Sequence, residues 1–456
     1  MKNSITFLEE DYKRLTKHLF EADSEKAAYL LVKKSETNST VNLLVRDIIF
    51  VSDEDIYFSK KNGLSIKSSS FVPAIKKAKT LKHSFVFVHS HPSNFPNHSA
   101  QDDLEERKLF KTVYNRIENV VHGSLVFSSP DLPKGRIWTK ELEVEPIEVV
   151  KVIGNQFRFF FNSGESNIEK KFFDRQIRAF GSDFQKIFSK MHIGIVGAGG
   201  TGSSVLEQLT RLGIGEITIA DPEKFELSNV NRLYGSTSSD DGQYKVDILK
   251  RLGERIGLGT KIHAIKSSFT YADVVEEFKK CDIVFGCTDD EWGRSILTKF
   301  SLYYYVPVFD LGVRIDSKDG KIKSINGRVT TLMPGNACLF CRSRISSDFI
   351  RAESLDATNP SEAKFQRKEG YVPELGESAP SVIPFTNNIA SEAVIEFLNR
   401  VTGFMGEERD SSELLVLYDQ TKIRLNKLPS QSDCFCPDKL YWGRGDVSPL
   451  LDLSWR

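Results

Sequence analysis

The chain has 456 residues, balances 62 basic against 62 acidic side chains, and is 40% hydrophobic. That length predicts roughly two to four domains with sizeable cores, and the charge balance excludes the broad basic field of a nucleic-acid or membrane-surface protein. No apolar run approaches the roughly 20 residues that span a bilayer, and the opening "MKNSITFLEEDYKRL" lacks the apolar core and cleavage site of a signal peptide, so the expected location is cytoplasmic.

The first 150 or so residues alternate helical and strand patterns. "EEDYKRLTKHLFEAD" sets Leu15, Leu19 and Phe20 at helical spacing, while "AAYLLV" and "SFVFVHSH" are short β-leaning apolar runs. The second run ends in His89 and His91. On a strand these residues project from one face, so both imidazoles can converge on one ion. Asp102, eleven residues after His91 and near a helix start, is a third candidate ligand, and three protein ligands with one open position suit a catalytic zinc. Ser99 and Asp102 also have the spacing of a helix capping box, which explains those two residues but not the aligned histidines. His98 and Asp103 read as surface neighbours.

Two histidines one residue apart, then seven residues, a serine, two residues and an aspartate resemble the JAMM (MPN+) metalloprotease signature without a gap. That family also carries a glutamate at the edge of its first strand, and Glu25 in "SEKAAYLL" occupies the matching place. The resemblance implies zinc on His89, His91 and Asp102. Glu25 would be the general base toward the water that the metal acidifies, and Ser99 would steady the oxyanion.

The polar "NSGESN" (Asn162 to Asn167) is the best linker candidate, which divides the chain into a domain at 1–155, a linker at 156–173 and a domain at 174–456. The second domain follows a βαβ rhythm from "HIGIVG" to "DIVFGCTD", predicting a mostly parallel, doubly wound sheet with helices on both faces. Gly197, Gly199 and Gly202 lie between its first strand and helix, and Asp221 ends the next strand. Glycines let a backbone approach phosphate at a helix N-terminus, and the acidic residue suits ribose hydroxyls. Alone, that pattern fits a nicotinamide or flavin enzyme equally well.

The downstream stretches "DPEKFELSNVNRLYGSTSSDDGQYKVDIL" and "DIVFGCTDDEWGR" resemble the adenylating domain of ubiquitin-activating and ThiF-type enzymes, a likeness that runs from about Phe172 onward. The resemblance implies a Rossmann-like domain in which Asp221 binds ribose and Asn229, Arg232 and Lys245 contact the ATP phosphates. Asp289 would bind Mg²⁺, and Arg175 in "FDRQIRAFG" would reach the triphosphate across a homodimer interface. Taken singly, Asn229, Arg232 and Lys245 read as turn or surface residues and Asp289 as a strand-end aspartate. A dehydrogenase has no need of such a cationic array.

Cys338 and Cys341 in "PGNACLFC" and Cys434 and Cys436 in "SDCFCPD" form two close pairs, a pattern for structural zinc; free core thiols are the alternative. Related adenylating enzymes often carry such a zinc. Cys281 and Cys287 read as packing cysteines. Residues 346–380 are polar and read as a long crossover loop. No cysteine lies between Cys341 and Cys434, so the adenylate is expected to pass directly to a partner's nucleophile.

The fold class is therefore α/β: an α+β JAMM-like domain followed by a Rossmann-like domain with a structural zinc. The two resemblances imply zinc, ATP and Mg²⁺ as cofactors. Both chemistries address the C-terminal glycine of a ubiquitin-like protein, with a conjugating enzyme as a further partner and no nucleic acid or membrane. The arrangement resembles fusion proteins of bacterial ubiquitin-like conjugation operons, some linked to antiviral defence. Two alternatives stay open: a sulfur-carrier or peptide-modifying pathway, and one half serving only to bind the ubiquitin-like tail.

Overall fold

The computed structural model describes residues 1–60, 63–118, 120–162, 170–375, 380–406 and 409–455. The chain splits into two compact units: Met1–Glu165 with Trp442–Val447, and Ser166–Tyr441 with Ser448–Arg456. Among the described residues no helix is long and apolar enough to cross a membrane.

The strands of the first unit are β1 (Lys2–Leu8), β2 (Ala27–Glu36), β3 (Thr40–Phe50), β4 (Ile56–Lys60), β5 (Gly63–Ile66), β6 (Ser84–Ser90), β7 (His122–Phe127), β8 (Pro133–Trp138), β9 (Val144–Ile147), β10 (Val149–Ile153) and β11 (Arg158–Phe161). Its helices are α1 (Glu9–Leu19), α2 (Ser68–Leu81) and α3 (Ala100–Tyr114). All strands but β4 and β5 join one mixed sheet in the order β11-β10-β1-β3-β2-β6-β7-β8-β9, and β4 and β5 pair separately. Strand β2 feeds both faces, because successive side chains alternate. Ala28, Leu30 and Val32 enter a core with Leu15 of α1, Leu43 and Val86. Ala27, Tyr29 and Leu31 enter the opposite core with Ala74 and Ile75 of α2 and Phe110 of α3. A sheet covered on both faces explains why "AAYLLV" reads as an unbroken apolar run.

Strand β11 pairs antiparallel with β10, so the expected linker at 156–173 begins too early. The phenylalanines of "RFFF" extend the sheet rather than tether it, and α4 (Lys170–Phe180) starts before the expected end. Residues 163–169, which hold most of "NSGESN", lie outside the described residues. The C-terminal stretch Trp442–Val447 returns to this unit. β2 pairs with β6 only as far as Val32; beyond it, Asp446 N–H donates to Lys34 O at 3.1 Å and the Asp446 carboxylate accepts Glu36 N–H at 2.7 Å.

The second unit continues with α5 (Ser182–Lys190), β12 (His192–Val196), α6 (Gly200–Leu212), β13 (Glu216–Ala220), α7 (Lys245–Ile256), β14 (Lys261–Ile265), α8 (Ala272–Phe278), β15 (Ile283–Gly286), α9 (Glu291–Tyr304), β16 (Val308–Lys318), β17 (Lys321–Leu332), α10 (Ser347–Thr358), α11 (Pro360–Lys368), α12 (Ile383–Thr402), β18 (Glu413–Leu417) and β19 (Lys422–Asn426). Its sheet runs β14-β13-β12-β15-β16-β17-β18-β19. The first five strands are parallel, in the doubly wound order whose switch point lies between β12 and β15. From β16 onward the pairing is antiparallel, so the sheet is parallel over five of its eight strands and ends in an antiparallel extension. The reversal is a two-residue turn at Asp319 and Gly320, both with positive φ, the conformation that favours Asp-Gly in tight hairpins.

The expected loop at 346–380 instead folds largely into two helices. Ser346 caps α10, and Asn359 caps α11 with Pro360 in its first turn. Their surfaces are polar enough to hide the helical period, and the caps carry the signal.

Candidate functional site

In the first unit, β6 carries Phe85, Phe87 and His89 on the face turned to α2 and α3, and the Phe87 and His89 rings stack at 5.3 Å. His89 Nε2 lies 3.0 Å from His91 Nε2, and Asp102 oxygens lie 3.3 Å and 3.4 Å from those two nitrogens. A tetrahedral zinc with bonds of about 2.0–2.1 Å would separate its ligand atoms by roughly 3.3 Å, so this triangle fits the ion. His91 Nδ1 sits 3.1 Å from Phe95 O. Donation there leaves Nε2 with its lone pair turned inward, the usual anchoring of a ligating imidazole. His89 Nδ1 is buried with no hydrogen-bond partner among the described residues. Burial raises the Asp102 carboxyl, yet its bonds to His89 and His91 outweigh this and hold it far below the usual range.

Ser99 and Asp102 form the capping box of α3. The Ser99 hydroxyl donates to Asp102 Oδ2 at 2.8 Å, and Asp102 N–H donates back to Ser99 Oγ at 3.2 Å. Capping and site geometry are one arrangement here, because the cap sets the carboxylate that faces the histidines. Ala27 pairs with His89 across the β2–β6 ladder, and Glu25 lies two residues before it, its N–H donating to Lys60 O at 3.0 Å. Glu25 is only 5% exposed. Burial lifts its carboxyl above the ordinary value against the lowering pull of His89 and His91, which moves it toward the range useful to a general base. Glu25, His89, His91, Ser99 and Asp102 all line one cavity of about 730 Å³.

In the second unit the glycine turn follows β12. Gly197 has φ 97°, and a Cβ there would stand 2.8 Å from the Cys287 carbonyl. A Cβ on Gly202 would stand 1.9 Å from Gly197 O, while one on Gly199 would meet nothing within 4 Å. The first and third glycines therefore permit close packing. The middle one leaves open space at the N-terminus of α6, where backbone N–H groups and the helix dipole favour an anion. Asp221, just past β13, accepts from Ala198 N–H and Glu223 N–H, both at 2.7 Å, and burial raises its carboxyl despite those bonds.

The Arg232 backbone lies 3.3 Å from the Cβ position of Gly200, and Tyr234 N–H donates to Ser203 Oγ at 3.1 Å. These contacts bring the 229–234 segment across the start of α6. Asn229 is buried and receives Glu226 N–H at 3.3 Å, while the half-buried Arg232 donates through its guanidinium to Ser228 O at 2.7 Å. Lys245 opens α7 and pairs with Glu223. Asp289 is exposed two residues beyond Cys287. The residues expected to meet ATP, Arg175 apart, thus gather at the C-terminal ends of β12, β13 and β15, around the switch point where open α/β sheets bind ligands.

Arg175 is the exception. Its helix α4 is fixed to the far end of α6 by Gln176 Nε2 donating to Arg211 O at 2.9 Å and by Phe173 against Gly213. The 13 residues of α6 separate that end from the glycine turn by about 20 Å. Among the described residues, no contact within one chain delivers Arg175 to the cluster.

The four paired cysteines converge. Cys338 Sγ lies 3.8 Å from Cys341 Sγ and 3.5 Å from Cys434 Sγ, and Cys341 Sγ lies 3.5 Å from Cys436 Sγ. All four sulfurs fall within 4.8 Å of one another. Zinc–sulfur bonds of about 2.3 Å imply an edge of roughly 3.8 Å, so the tight C-x-C pair fits a tetrathiolate as well as the C-x-x-C pair does.

A model of the ThiF family matches residues 173–437. The chain belongs to the ThiF family. Ubiquitin-like modifier-activating enzyme 5 of Aedes aegypti is 24% identical over 271 residues, covering 57% of this chain and 62% of that protein. The Drosophila willistoni protein of the same name is 26% identical over 240 residues, covering 49% of this chain and 54% of its own length. The chain therefore spans little more than half the length of these relatives. Among solved structures, E. coli MccB with ATP aligns at 17% identity and TM-score 0.45, covering 61% of this chain and 77% of that one.

Sequence reasoning passed over several residues beside both sites. In the ThiF region Glu223 links Asp221 to Lys245: its N–H donates to Asp221, its carbonyl accepts Lys245 N–H at 3.1 Å, and its carboxylate holds the Lys245 ammonium. Its spacing of two from Asp221 was the available signal. In the first unit Glu106, one helical turn after Asp102, is 2% exposed. Its Oε2 accepts from Ser124 Oγ at 2.5 Å, Arg136 NH2 at 2.9 Å and Trp138 Nε1 at 2.9 Å. His98 is not a surface residue. Its side chain is 10% exposed, with Nε2 3.7 Å from Glu106, and burial pushes its imidazole well below the ordinary value. Asp103 does stand at the surface and pairs with Arg136.

Proposed function

We propose that the ThiF region uses ATP to adenylate the C-terminal glycine carboxylate of a ubiquitin-like protein, and that the first unit is a JAMM-type zinc hydrolase acting on a peptide or isopeptide bond at that same chain end. Membership of the ThiF family carries the first half, and the His89–His91–Asp102 triangle beside Glu25 carries the second. In adenylation a carboxylate oxygen bonds to the α-phosphorus while the bond from that phosphorus to the bridging oxygen breaks, and pyrophosphate leaves. This needs a neutralised triphosphate more than covalent help. The Gly199 turn and the start of α6 bind phosphate through N–H groups, Asp221 holds the ribose, and Asn229, Arg232 and Lys245 take up the phosphate charge. Asp289 would hold Mg²⁺, which supplies further charge neutralisation on the phosphates. Arg175 serves this site from the second copy of a homodimer, because its own helix holds it at the far end of α6.

Cys281 is fully buried, and burial together with Asp310 pushes the Cys287 thiol far up. With four sulfurs in the cluster, the adenylate passes to a nucleophile on another molecule. In the first unit His89, His91 and Asp102 would hold zinc, which supplies a Lewis acid and lowers the pKa of water. Glu25 takes the proton, and the Ser99 hydroxyl, freed from Asp102 by rotation, faces the oxyanion.

The test is ATP–pyrophosphate exchange with a panel of ubiquitin-like proteins, alongside cleavage of their C-terminally extended precursors. Exchange that requires a Gly-ended protein and is lost in Asp289→Ala, with cleavage lost in Glu25→Ala, is the expected result. Exchange with none of them, while Glu25-dependent cleavage persists, would leave a peptidase joined to a binding platform.

A further inference from the structure

Beside the triangle, the same cavity carries a cluster of apolar side chains. Leu64 and Ile66 of β5, Phe71 of α2, Phe87 of β6 and Leu109 of α3 line it. Each is partly buried against the inner core of α2, α3 and β2, so each keeps a face toward the cavity. Tyr29 closes the chamber from β2, with its hydroxyl donating to Ser70 Oγ at 3.2 Å and its ring 6.1 Å from that of Phe87. A row of ring contacts therefore runs from His89 through Phe87 to Tyr29. The charged side chains among the lining residues are all carboxylates: Glu25, Asp102, Glu105 and Glu106.

Resting on the hydrolase reading of this unit, we propose that the chamber is a specificity site for a bulky apolar side chain next to the scissile bond, so that the substrate is a peptide with a leucine- or phenylalanine-like residue flanking the cleaved glycine linkage. A glycine presents no side chain to such walls and would leave water against them, whereas a branched or aromatic side chain removes its own apolar surface and theirs from water. The carboxylates reject an acidic side chain at the same place by like-charge repulsion. Hydrophobic chambers of this kind discriminate by about tenfold or more between a filled and an unfilled occupant.

The test uses the zinc-loaded full chain and a panel of glycine-linked peptides carrying Leu, Phe, Ser or Asp immediately before or immediately after the glycine linkage. Leu and Phe are expected to exceed Ser in kcat/KM by about tenfold or more at one of the two positions, with Asp lowest. The two arms tell whether the side chain belongs to the ubiquitin-like tail or to the leaving segment. Affinities of the same peptides for Glu25→Gln protein, measured by calorimetry, should follow the same order without turnover. Phe71→Ser and Ile66→Asn are each expected to compress the Leu-to-Ser ratio. Cleavage at rates indifferent to the flanking residue would overturn the chamber proposal alone, while bound zinc with no cleavage of any peptide would overturn the hydrolase reading beneath it.

Discussion

Glu223 offers the sharpest test of the proposed nucleotide site, because its carboxylate occupies the Lys245 ammonium proposed to meet the phosphates. In Glu223→Gln the backbone bonds to Asp221 and Lys245 remain and only the charge is lost. The pair is unevenly buried, with the lysine side chain 11% exposed and the glutamate 66% exposed. Solvent therefore screens it, and such pairs are worth at most about 1 kcal/mol. Releasing that competition should lower the KM for ATP by about fivefold and leave kcat unchanged, because the pair is broken before the transition state is reached. The assay is ATP–pyrophosphate exchange across ATP concentrations at low and high salt, and the advantage of the variant should shrink as salt screens the charge. A raised KM, or a kcat that falls with it, would refute the reasoning and make Glu223 a contributor to ATP binding instead.

Two more outcomes concern buried groups. Cys341→Ser should lower bound zinc by about one equivalent per chain and melt the ThiF region about 10 °C earlier, read by metal analysis and calorimetry; unchanged zinc would dismiss the tetrathiolate. His122 is fully buried, accepting Phe85 N–H at 3.0 Å with Nδ1 and facing Ile117 O with Nε2 at 3.3 Å. Burial lowers its imidazole from 6.5 to about 4. Above pH 6.5 neither folded nor unfolded chain is protonated there; as pH falls toward 4 only the unfolded chain gains the proton, so stability is lost across that window. At about 1.4 kcal/mol per unit, the loss reaches about 3 kcal/mol. His122→Gln should flatten this part of the denaturation profile relative to the natural chain, and identical pH slopes for the two would count against the argument.

Much of both sites was legible because spacing dictates geometry. Two residues apart on a strand means one face, which placed His89 and His91 together, and strand–glycines–helix order placed Gly197, Gly199 and Gly202 at the switch point. The residues that escaped depend on partners far away in sequence. Glu106 becomes a buried hub only because Arg136 and Trp138 arrive from β8, and His98 is enclosed by that same group. The Asp319-Gly320 hairpin and the capped starts of α10 and α11 carried local signals, yet their polar surroundings gave little apolar period to read. Arg175 shows the reverse difficulty: its motif was visible, but its helix is fixed where one chain cannot use it.

The return of Trp442–Val447 has a consequence for anyone dividing this protein. A cut in the 163–169 segment does not yield the two compact units, because six residues of the first are encoded near the end of the second. A fragment ending at Glu165 would bare Lys34 O and Glu36 N–H on the rim of β2, an invitation to pair with another copy. Clean halves call for a circular permutation or a grafted 442–447 peptide, and for the intact chain the last stitch of the amino-terminal unit waits until the ThiF region at 173–437 has been synthesised.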